Sequence, residues 1–355
     1  MDKLRFISPD NPDINYMGRI DFTDKTSPLL IYAGSNLRFR FTGSKLILSL
    51  RNIMLSDCII TLGCIIDGKE LRLEIKEYSK EFKMEIPVES NKTEHSAIIF
   101  KRNDGTNYLH FNGFYIEENA EILPQPPLPS RKIEAYGDSV CAGSWCELYE
   151  NIGKLDLEPY RAEYDNAWHG FPMIAARLLN AQIHNNSQGG MAVISGTGWN
   201  FAPYFDAFDK TYTRLRNSPL LETSEWDFSL YTPHVVILAF GQNDNHKDGC
   251  PDFDIKDPEY RSMWKKKYSD IIKDLMLKYP KAHFIMTLTL MMHDPERETA
   301  VDEIVEEMKS ERLHRLRFKR SGIAAIGHPR IPEQCEMAVE LTEYINSLGE
   351  EIWAD

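Results

Sequence analysis

The sequence predicts a two-part protein, in which an antiparallel β-sandwich of jelly-roll type precedes an α/β domain built on a parallel sheet. Three observations predict it. Over residues 1–123, apolar and polar residues alternate with a period of two, as in strands with one buried face. A proline-rich linker occupies 124–130. From 131 to 355, short apolar runs alternate with longer amphipathic segments, a pattern typical of a parallel sheet with helices on both faces.

The sandwich prediction depends on the period of two. It is clearest over 37–41, where leucine and phenylalanine alternate with arginine, and it recurs over 46–50 and 71–76. The pair Asp67 and Gly68 lies between two such runs, which is typical of a two-residue hairpin. No segment before the linker has the pattern of a long helix, so this part is predicted to consist of strands.

The second part is predicted to contain strands and helices in alternation. The predicted strands cover 133–136, 182–185, 235–240, 284–290 and 323–326, and the predicted helices cover 170–179, 259–279, 301–318 and 332–348. In open sheets of this kind, ligands bind at the carboxyl ends of the strands. Residues that directly follow these strands are therefore the first candidates for a functional site.

Four of the predicted strands are followed by residues that can take part in acyl transfer. Ser139 follows the first strand within Gly-Asp-Ser, and Gly190 follows the second within Gln-Gly-Gly-Met. Asn243 follows the third within Gly-Gln-Asn-Asp, and His328 follows the last within Gly-His-Pro. A serine nucleophile, an imidazole base and N–H donors for an oxyanion are the groups that such chemistry needs.

Each candidate also has a purely structural interpretation. Ser139 could cap a helix, the glycine pair could form an ordinary turn, and Asn243 could form an Asx-turn. His328 could be an ordinary residue at the start of a helix. Trp199 follows the glycine segment closely enough to line a cleft, where its ring could stack on a sugar, although most tryptophans belong to the core.

The order Gly-Asp-Ser, Gly, Gly-x-Asn-Asp and His resembles the SGNH (GDSL-type) hydrolase superfamily. Within it, the sequence is similar to carbohydrate esterase family 2, whose members carry a jelly roll before the hydrolase domain. The resemblance implies a flavodoxin-like three-layer α/β/α hydrolase domain, with Ser139 as nucleophile and His328 as general base. It also implies an oxyanion hole formed by the N–H groups of Ser139 and Gly190 and the amide of Asn243. The implied substrates are O-acetylated plant polysaccharides such as mannan and xylan.

One position departs from the superfamily pattern. The usual Asp-x-x-His block has alanine at its first position here, Ala325. Some members of the family resemble this, using a Ser-His dyad with a backbone carbonyl in the third role. We therefore expect a backbone carbonyl, from the loop before His328 or a neighbouring loop, to orient its imidazole, and the nearby carboxylates Asp244 and Asp294 to be dispensable for this purpose.

Composition excludes several other classes of function. The 355 residues carry 41 basic and 54 acidic side chains, a net charge of -13, so nucleic acid and anionic membranes are not expected partners. No stretch approaches the 18 apolar residues of a membrane span. No cofactor or metal is predicted, because the sequence lacks metal-ligand spacings and phosphate-binding loops, and the six cysteines show no such pattern either. The start lacks a signal core, which favours the cytoplasm, or secretion if a signal was removed.

The sequence therefore favours a carbohydrate O-acetyl esterase acting on an acetylated oligo- or polysaccharide. Two alternatives remain open. One is a lipase or thioesterase of the same fold, which would need an apolar groove for a longer acyl chain. The other is a carbohydrate-binding protein with an inactive hydrolase domain. Nothing in the sequence indicates the sugar, the position of the acetyl group or the oligomeric state.

Overall fold

A computed structural model provides the structure of this chain. It describes residues 3–54, 58–89, 92–105, 107–199, 206–216, 222–246, 253–321 and 325–354. Among these residues, no helix has both the length and the apolar character needed to cross a membrane.

The N-terminal part is an antiparallel sandwich of two six-stranded sheets. Its strands are β1 (Leu4–Ile7), β2 (Asn15–Met17), β3 (Ile20–Asp21), β4 (Leu29–Leu30), β5 (Asn36–Thr42), β6 (Leu46–Met54), β7 (Thr61–Ile66), β8 (Lys69–Glu74), β9 (Glu81–Ile86), β10 (Glu94–Lys101), β11 (Asn107–Glu117) and β12 (Ile122–Leu123). One sheet has the order β3-β4-β11-β6-β9 with β1 also on β11. The other has the order β12-β5-β10-β7-β8 with β2 also on β5.

The alternation in the sequence forms the core between these two sheets. Leu37, Phe39 and Phe41 of β5 and Leu46, Leu48 and Leu50 of β6 are buried there, while the arginines of β5 alternate with them and are only partly buried. Phe39 of one sheet stacks on Phe114 of the other, with ring centroids 4.1 Å apart. Asp67 and Gly68 form the predicted hairpin between β7 and β8, both with positive φ, as a two-residue turn of this kind requires.

The C-terminal part contains a five-stranded parallel sheet. Its strands are β13 (Arg131–Gly137), β14 (Ala181–Asn185), β15 (Val235–Ala239), β16 (His283–Met286) and β17 (Leu313–Arg315). The order β14-β13-β15-β16-β17 corresponds to the flavodoxin-like order 2-1-3-4-5. In this order the chain reverses direction across the sheet between β13 and β15, so a crevice forms at their carboxyl ends.

Helices cover both faces of this sheet. They are α1 (Phe171–Leu178), α2 (Phe208–Thr211), α3 (Pro258–Lys278), α4 (Pro295–Met308) and α5 (Ile331–Ser347). Alternate residues of β13 and β15 point to opposite faces. Ile133 and Ile237 pack in one core with α1 and α5, whereas Tyr136 and Leu238 pack in the other with α3 and α4. The α/β prediction is confirmed by this three-layer arrangement.

Three predicted elements differ from the structure, and the first is the strand 284–290, which ends at Met286 as β16. The predicted helix 301–318 ends early, because α4 stops at Met308, Lys309 takes a left-handed conformation (φ 48°), and the chain then enters the sheet as β17. The predicted strand 323–326 lies partly outside the described residues. Its described part contains one parallel bridge, between Ala325 and Met291.

A buried ion pair joins the sandwich to the parallel sheet. Arg19, in the turn before β3, donates to Glu134 in the middle of β13 at 3.0 Å and to the hydroxyl of Tyr136 at 2.7 Å. All three side chains are buried. Removing either partner would leave a buried charge without compensation, which is a large cost, so the pair ties the sandwich to β13.

Candidate active site

Ser139 lies just beyond the carboxyl end of β13, in a tight turn. The turn needs a glycine at 137, because a Cβ there would lie 2.2 Å from the sulfur of Cys141 and 2.9 Å from the hydroxyl of Ser187. The Ser139 side chain is nearly buried, with 8% of the residue exposed. Its Oγ lies 2.8 Å from Nε2 of His328.

His328 lies in the segment between the Ala325 bridge and α5, rather than at the end of a regular strand. Its Nδ1 lies 2.7 Å from a carboxylate oxygen of Asp156, and its backbone N–H also faces that carboxylate at 3.2 Å. A carboxylate can only accept, so Nδ1 carries the proton of the neutral ring. That tautomer leaves Nε2 as an acceptor for the Ser139 hydroxyl.

The expectation that a backbone carbonyl orients His328 is therefore wrong for this structure. Asp156 occupies that position, and it belongs to the long loop between β13 and α1. Gly327 permits this approach, since a Cβ there would lie 2.7 Å from the Asp156 carboxylate and 2.9 Å from the carbonyl of Lys154. A carboxylate from a distant loop therefore fills the space beside the imidazole in which a backbone carbonyl was expected.

Arg330 fixes the Asp156 carboxylate from its other side. Its guanidinium is fully buried, donates to Asp156 at 2.6 Å and also donates to the carbonyl of Trp145 at 3.1 Å. Burial alone would raise the pKa of Asp156, but the hydrogen bonds and charges of His328 and Arg330 outweigh it and lower this pKa to about 2. The carboxylate is thus ionised at neutral pH.

The two aspartates that we expected to be dispensable for orienting His328 have other partners. Asp244 is buried and accepts the backbone N–H groups of Val193 and Ile194, which shapes the segment after the glycine pair. Burial raises the pKa of Asp244 to about 6. Asp294 caps α4 by accepting the N–H of Glu296.

Asn243 follows β15 in a short 3₁₀ turn and is nearly buried beside Asp138. Its amide nitrogen donates to the Asp138 carboxylate at 3.1 Å and to the carbonyl of Met191 at 3.1 Å. Both N–H directions are thus used within the protein. To donate to an oxyanion, the amide has to share or exchange one of these acceptors. Burial raises the pKa of Asp138 to about 6.

The glycine pair lies against Ser139. A Cβ at Gly189 would lie 3.7 Å from the Cβ of Ser139 and only 2.5 Å from a carboxylate oxygen of Asp104, so this position has no room for a side chain. Gly190 has a left-handed conformation (φ 72°). Within the described part of the chain, the backbone N–H groups of Gly190 and Ser139 donate to no protein acceptor, whereas that of Gly189 donates to Asp104.

Trp199 lies beside the glycine pair. Its backbone N–H donates to the carbonyl of Gly190 at 3.2 Å, and its ring stacks on His246 with centroids 3.5 Å apart and planes 6° apart. The residue is 63% exposed, unusual for so large an apolar side chain. The segments 200–205 and 247–252, next to this pair in sequence, lie outside the described residues.

The structure brings Ser139 and His328 into direct contact, and it adds three residues beside the site. Asn243 contacts Asp138, the neighbour of Ser139, and Gly190 follows Gly189, which lies against Ser139. Asp156, Arg330 and Asp104 were missed, because none follows a predicted strand or belongs to a recognisable motif. Among the described residues, no group of three or more His, Cys, Asp or Glu side chains is arranged to hold a metal ion.

Comparison with known proteins matches both parts of the chain. Residues 16–126 match the family described as carbohydrate esterase 2 N-terminal. An acetylxylan esterase / glucomannan deacetylase of Cellvibrio japonicus is 25% identical over 98% of this chain and 92% of its own length. The cellulase/esterase CelE of Acetivibrio thermocellus is 26% identical over 96% of this chain, which spans 40% of that longer protein.

A solved structure shares the fold over both parts. It is a family two carbohydrate esterase from Clostridium thermocellum in complex with cellohexaose, with a TM-score of 0.79, 22% identity, and coverage of 96% of this chain and 100% of that one. The order of the two parts and the sheet arrangement are therefore those of a known architecture.

Proposed function

We propose that the chain belongs to carbohydrate esterase family 2 and that it removes O-acetyl groups from plant-type oligo- or polysaccharides such as mannan and xylan through an acyl-enzyme. The observation that carries the mechanism is the continuous hydrogen-bonded series from Ser139 through His328 to Asp156. A lone buried serine or histidine would not need this arrangement, whereas a nucleophile, a base and an orienting acid do.

In the first half of the reaction, Ser139 Oγ attacks the acetyl carbonyl carbon while Nε2 of His328 takes the hydroxyl proton. The imidazolium that forms then protonates the sugar oxygen as it leaves. Asp156 holds the ring in the required tautomer and stabilises its positive charge. Because Arg330 keeps Asp156 ionised and in place, the carboxylate can stabilise the imidazolium without taking its proton.

The tetrahedral intermediate carries a negative oxygen, which needs N–H donors. The N–H groups of Ser139 and Gly190 are available for it, and we propose that they form the core of the oxyanion hole. The Asn243 amide is the third proposed donor, after exchanging or sharing its bond to Asp138 or Met191. In the second half, His328 activates a water that attacks the acetyl-enzyme, and acetate leaves.

The sugar is expected to contact Trp199. One face of the Trp199 indole stacks on His246, and the exposed side chain offers a flat apolar surface. The backbone N–H of the same residue donates to the carbonyl of Gly190. Sugar rings present C–H faces to aromatic rings of this kind. The relatives named for acetylxylan and glucomannan support a polysaccharide substrate without separating mannan from xylan.

A second candidate, hydrolysis of esters with a longer acyl chain, is favoured by one observation. Three apolar side chains near this site are exposed: Leu155 precedes Asp156, Ile326 lies two residues before His328, and Met292 belongs to a neighbouring segment. The Met292 N–H donates to the carbonyl of Ala325, which fixes two of them on the same edge. Comparing acetyl with octanoyl esters of one alcohol tests this candidate, since the esterase proposal requires a preference for acetyl.

The decisive experiment measures acetate released from a panel of acetylated mannan and xylan oligosaccharides. The wild type is expected to release acetate with steady turnover, and Ser139→Ala is expected to release none. Ser49→Ala is a matched control, because Ser49 is equally buried and also donates its hydroxyl, in this case to Glu81 at 2.6 Å within the sandwich. Equal rates for wild type and Ser139→Ala would exclude the serine mechanism.

A further inference from the structure

The loop between β10 and β11 brings part of the sandwich to the proposed active site. Its residues Asp104 and Gly105 lie against the segment that follows β14. Asp104, at its tip, is only 3% exposed and belongs to a different part of the chain from Ser139 and His328. Any role of Asp104 in catalysis rests on the proposed function, because it concerns how the oxyanion hole of that site is held.

Asp104 is connected to the glycine pair by a short set of hydrogen bonds. One carboxylate oxygen accepts the backbone N–H of Gly189 at 2.7 Å and the side-chain amide N–H of Gln188 at 3.0 Å. The carbonyl of the same Gln188 side chain accepts the N–H of Gly105 at 2.7 Å. The tip of the sandwich loop and the glycine segment thus bind each other in both directions.

These bonds determine how the neighbouring peptide is directed. The N–H of Gly189 points to Asp104, and the next N–H along the chain, that of Gly190, is the one left for an oxyanion. Glycine backbones have wide conformational freedom, so a segment of two glycines needs an external contact to keep one orientation. The geometry points to Asp104 as a positioning residue, through which the sandwich holds the Gly190 N–H in place for the oxyanion.

The loop itself is held firmly. The ammonium group of the buried Lys101 donates to the carbonyl groups of Asn103 and Asp104, and the Asn103 amide donates to the carbonyl of Ala162 at 2.7 Å. The carbonyl of Arg102 accepts the N–H of Ala167 at 2.9 Å. Because Ala162 and Ala167 belong to the same long loop as Asp156, one piece of the sandwich supports both the glycine segment and the loop that carries the proposed acid.

The experiment compares Asp104→Ala, Asp104→Asn and a matched control, using a small aryl acetate as the ester. The control is Asp67→Ala, since Asp67 is also a sandwich carboxylate that accepts a backbone N–H (Ser96, 2.9 Å) and a side-chain nitrogen (His95, 2.7 Å). Melting temperature, kcat and KM are measured for each variant.

We expect Asp104→Ala to lower kcat by about 10-fold to 100-fold with KM within about twofold, because a misdirected donor affects the transition state more than the bound ester. Asp104→Asn should recover most of the loss, because a single oxygen accepts both bonds and an amide oxygen can replace it. Asp67→Ala should keep the kcat of the wild type. A kcat for Asp104→Ala equal to that of Asp67→Ala, a change in KM alone, or a folded Asp104→Asn no better than Asp104→Ala would overturn the inference.

A second variant covers the case in which Asp104→Ala does not fold. Gln188→Ala removes the side chain that links Asp104 and Gly105 to the glycine segment, and it leaves the sandwich loop unchanged. It should lower kcat in the same direction, and an unchanged kcat would count against the role of Asp104. Failure of the esterase proposal itself would give a different result. Either the wild type would not hydrolyse the aryl acetate, or the Ser139→Ala variant would still hydrolyse it.

Discussion

Asp156 accepts a hydrogen bond from Nδ1 of His328 at 2.7 Å, although 172 residues separate the two positions in the chain. Three residues before His328, where the SGNH pattern that the sequence resembles has a carboxylate, this chain has Ala325. Arg330, two residues after His328, holds the other oxygen of the same carboxylate at 2.6 Å. The carboxylate beside His328 thus comes from one loop and is fixed by the residue just before α5.

If Asp156 orients His328, Asp156→Asn should lower kcat by about 10²–10⁴-fold at saturating substrate. An amide can present its N–H to Nδ1 and favour the wrong tautomer, as happens when the acid of a catalytic triad is replaced in this way. The measurement is kcat on an acetyl ester at a pH where the wild type is fully active.

Asp294→Asn is the matched control for this prediction. Asp294 is also an aspartate with a lowered pKa, although burial opposes that shift, because it binds Lys256 and the N–H of Glu296. It has no contact with His328 among the described residues, so its loss should leave kcat near that of the wild type. Retention of most activity by Asp156→Asn would instead favour a Ser-His dyad.

Part of the site could be predicted from the sequence because its residues follow strands. Ser139, Gly190 and Asn243 each come after an apolar run, so the topology of a parallel sheet places them at one edge. Asp156 could not be found in this way. It lies in a loop without a regular strand or long helix, and its position depends on the buried Arg330 rather than on any spacing in the sequence.

The same distinction holds for the fold. The alternation in β5 and β6 reports a buried face directly, and those strands were predicted correctly. The charged segment after residue 301 continues with helix-forming residues beyond Met308, so composition gave no sign of a break. The break comes from tertiary structure, since β17 completes the edge of the sheet by pairing with β16.

Stability in acid should depend on Asp156. Its pKa in the folded protein is about 2, below the ordinary value near 4, so the ionised carboxylate adds stability above about pH 4 that is lost as the pH falls towards 2. Asp156→Asn should therefore be less stable than the wild type at pH 7, and this gap should narrow by on the order of 2 kcal/mol by pH 2. The measurement is the free energy of unfolding against pH.

Asp244→Asn serves as the comparison, because Asp244 should change the free energy of unfolding with pH in the opposite direction. Burial raises the pKa of Asp244 to about 6, so the folded protein binds more protons there than the unfolded chain between about pH 4 and 6. The protonated Asp244 therefore adds stability at low pH, which the wild type should lose as the pH rises from about 4 to 6. The Asp244→Asn variant should show no such loss. Parallel curves for wild type and both variants would contradict the assignment of these carboxylates.

Removal of the Asn243 amide tests the third oxyanion donor. Asn243→Ala should lower kcat by about 10²–10³-fold with little change in KM, as loss of an oxyanion donor does in other hydrolases. Asn36→Ala is a suitable control, because Asn36 is also buried and donates its amide to a carbonyl, that of Gly34 at 2.8 Å. If kcat is unchanged and KM rises, Asn243 binds substrate instead.

Activity should survive a chelator. The proposed mechanism uses a serine hydroxyl, an imidazole and N–H donors, so no step needs a metal ion. Hydrolysis rates before and after EDTA treatment and dialysis should agree within about twofold. Loss of activity that one added metal restores would contradict the serine mechanism.

Trp199 should contribute to binding of the sugar rather than to the chemical step. Its exposed ring lies beside Gly190 and is supported by His246, so it can contact a sugar next to the acetyl group but has no contact with the reacting atoms. Trp199→Ala should therefore raise KM for an acetylated oligosaccharide by about tenfold, equivalent to about 1.4 kcal/mol, and leave kcat nearly unchanged. On a small aryl acetate the variant should match the wild type. Trp353→Ala is the control, because Trp353 packs on Arg131 at the opposite end of β13 and should affect neither substrate. An equal loss on both substrates would mean that Trp199 shapes the glycine segment rather than binding sugar.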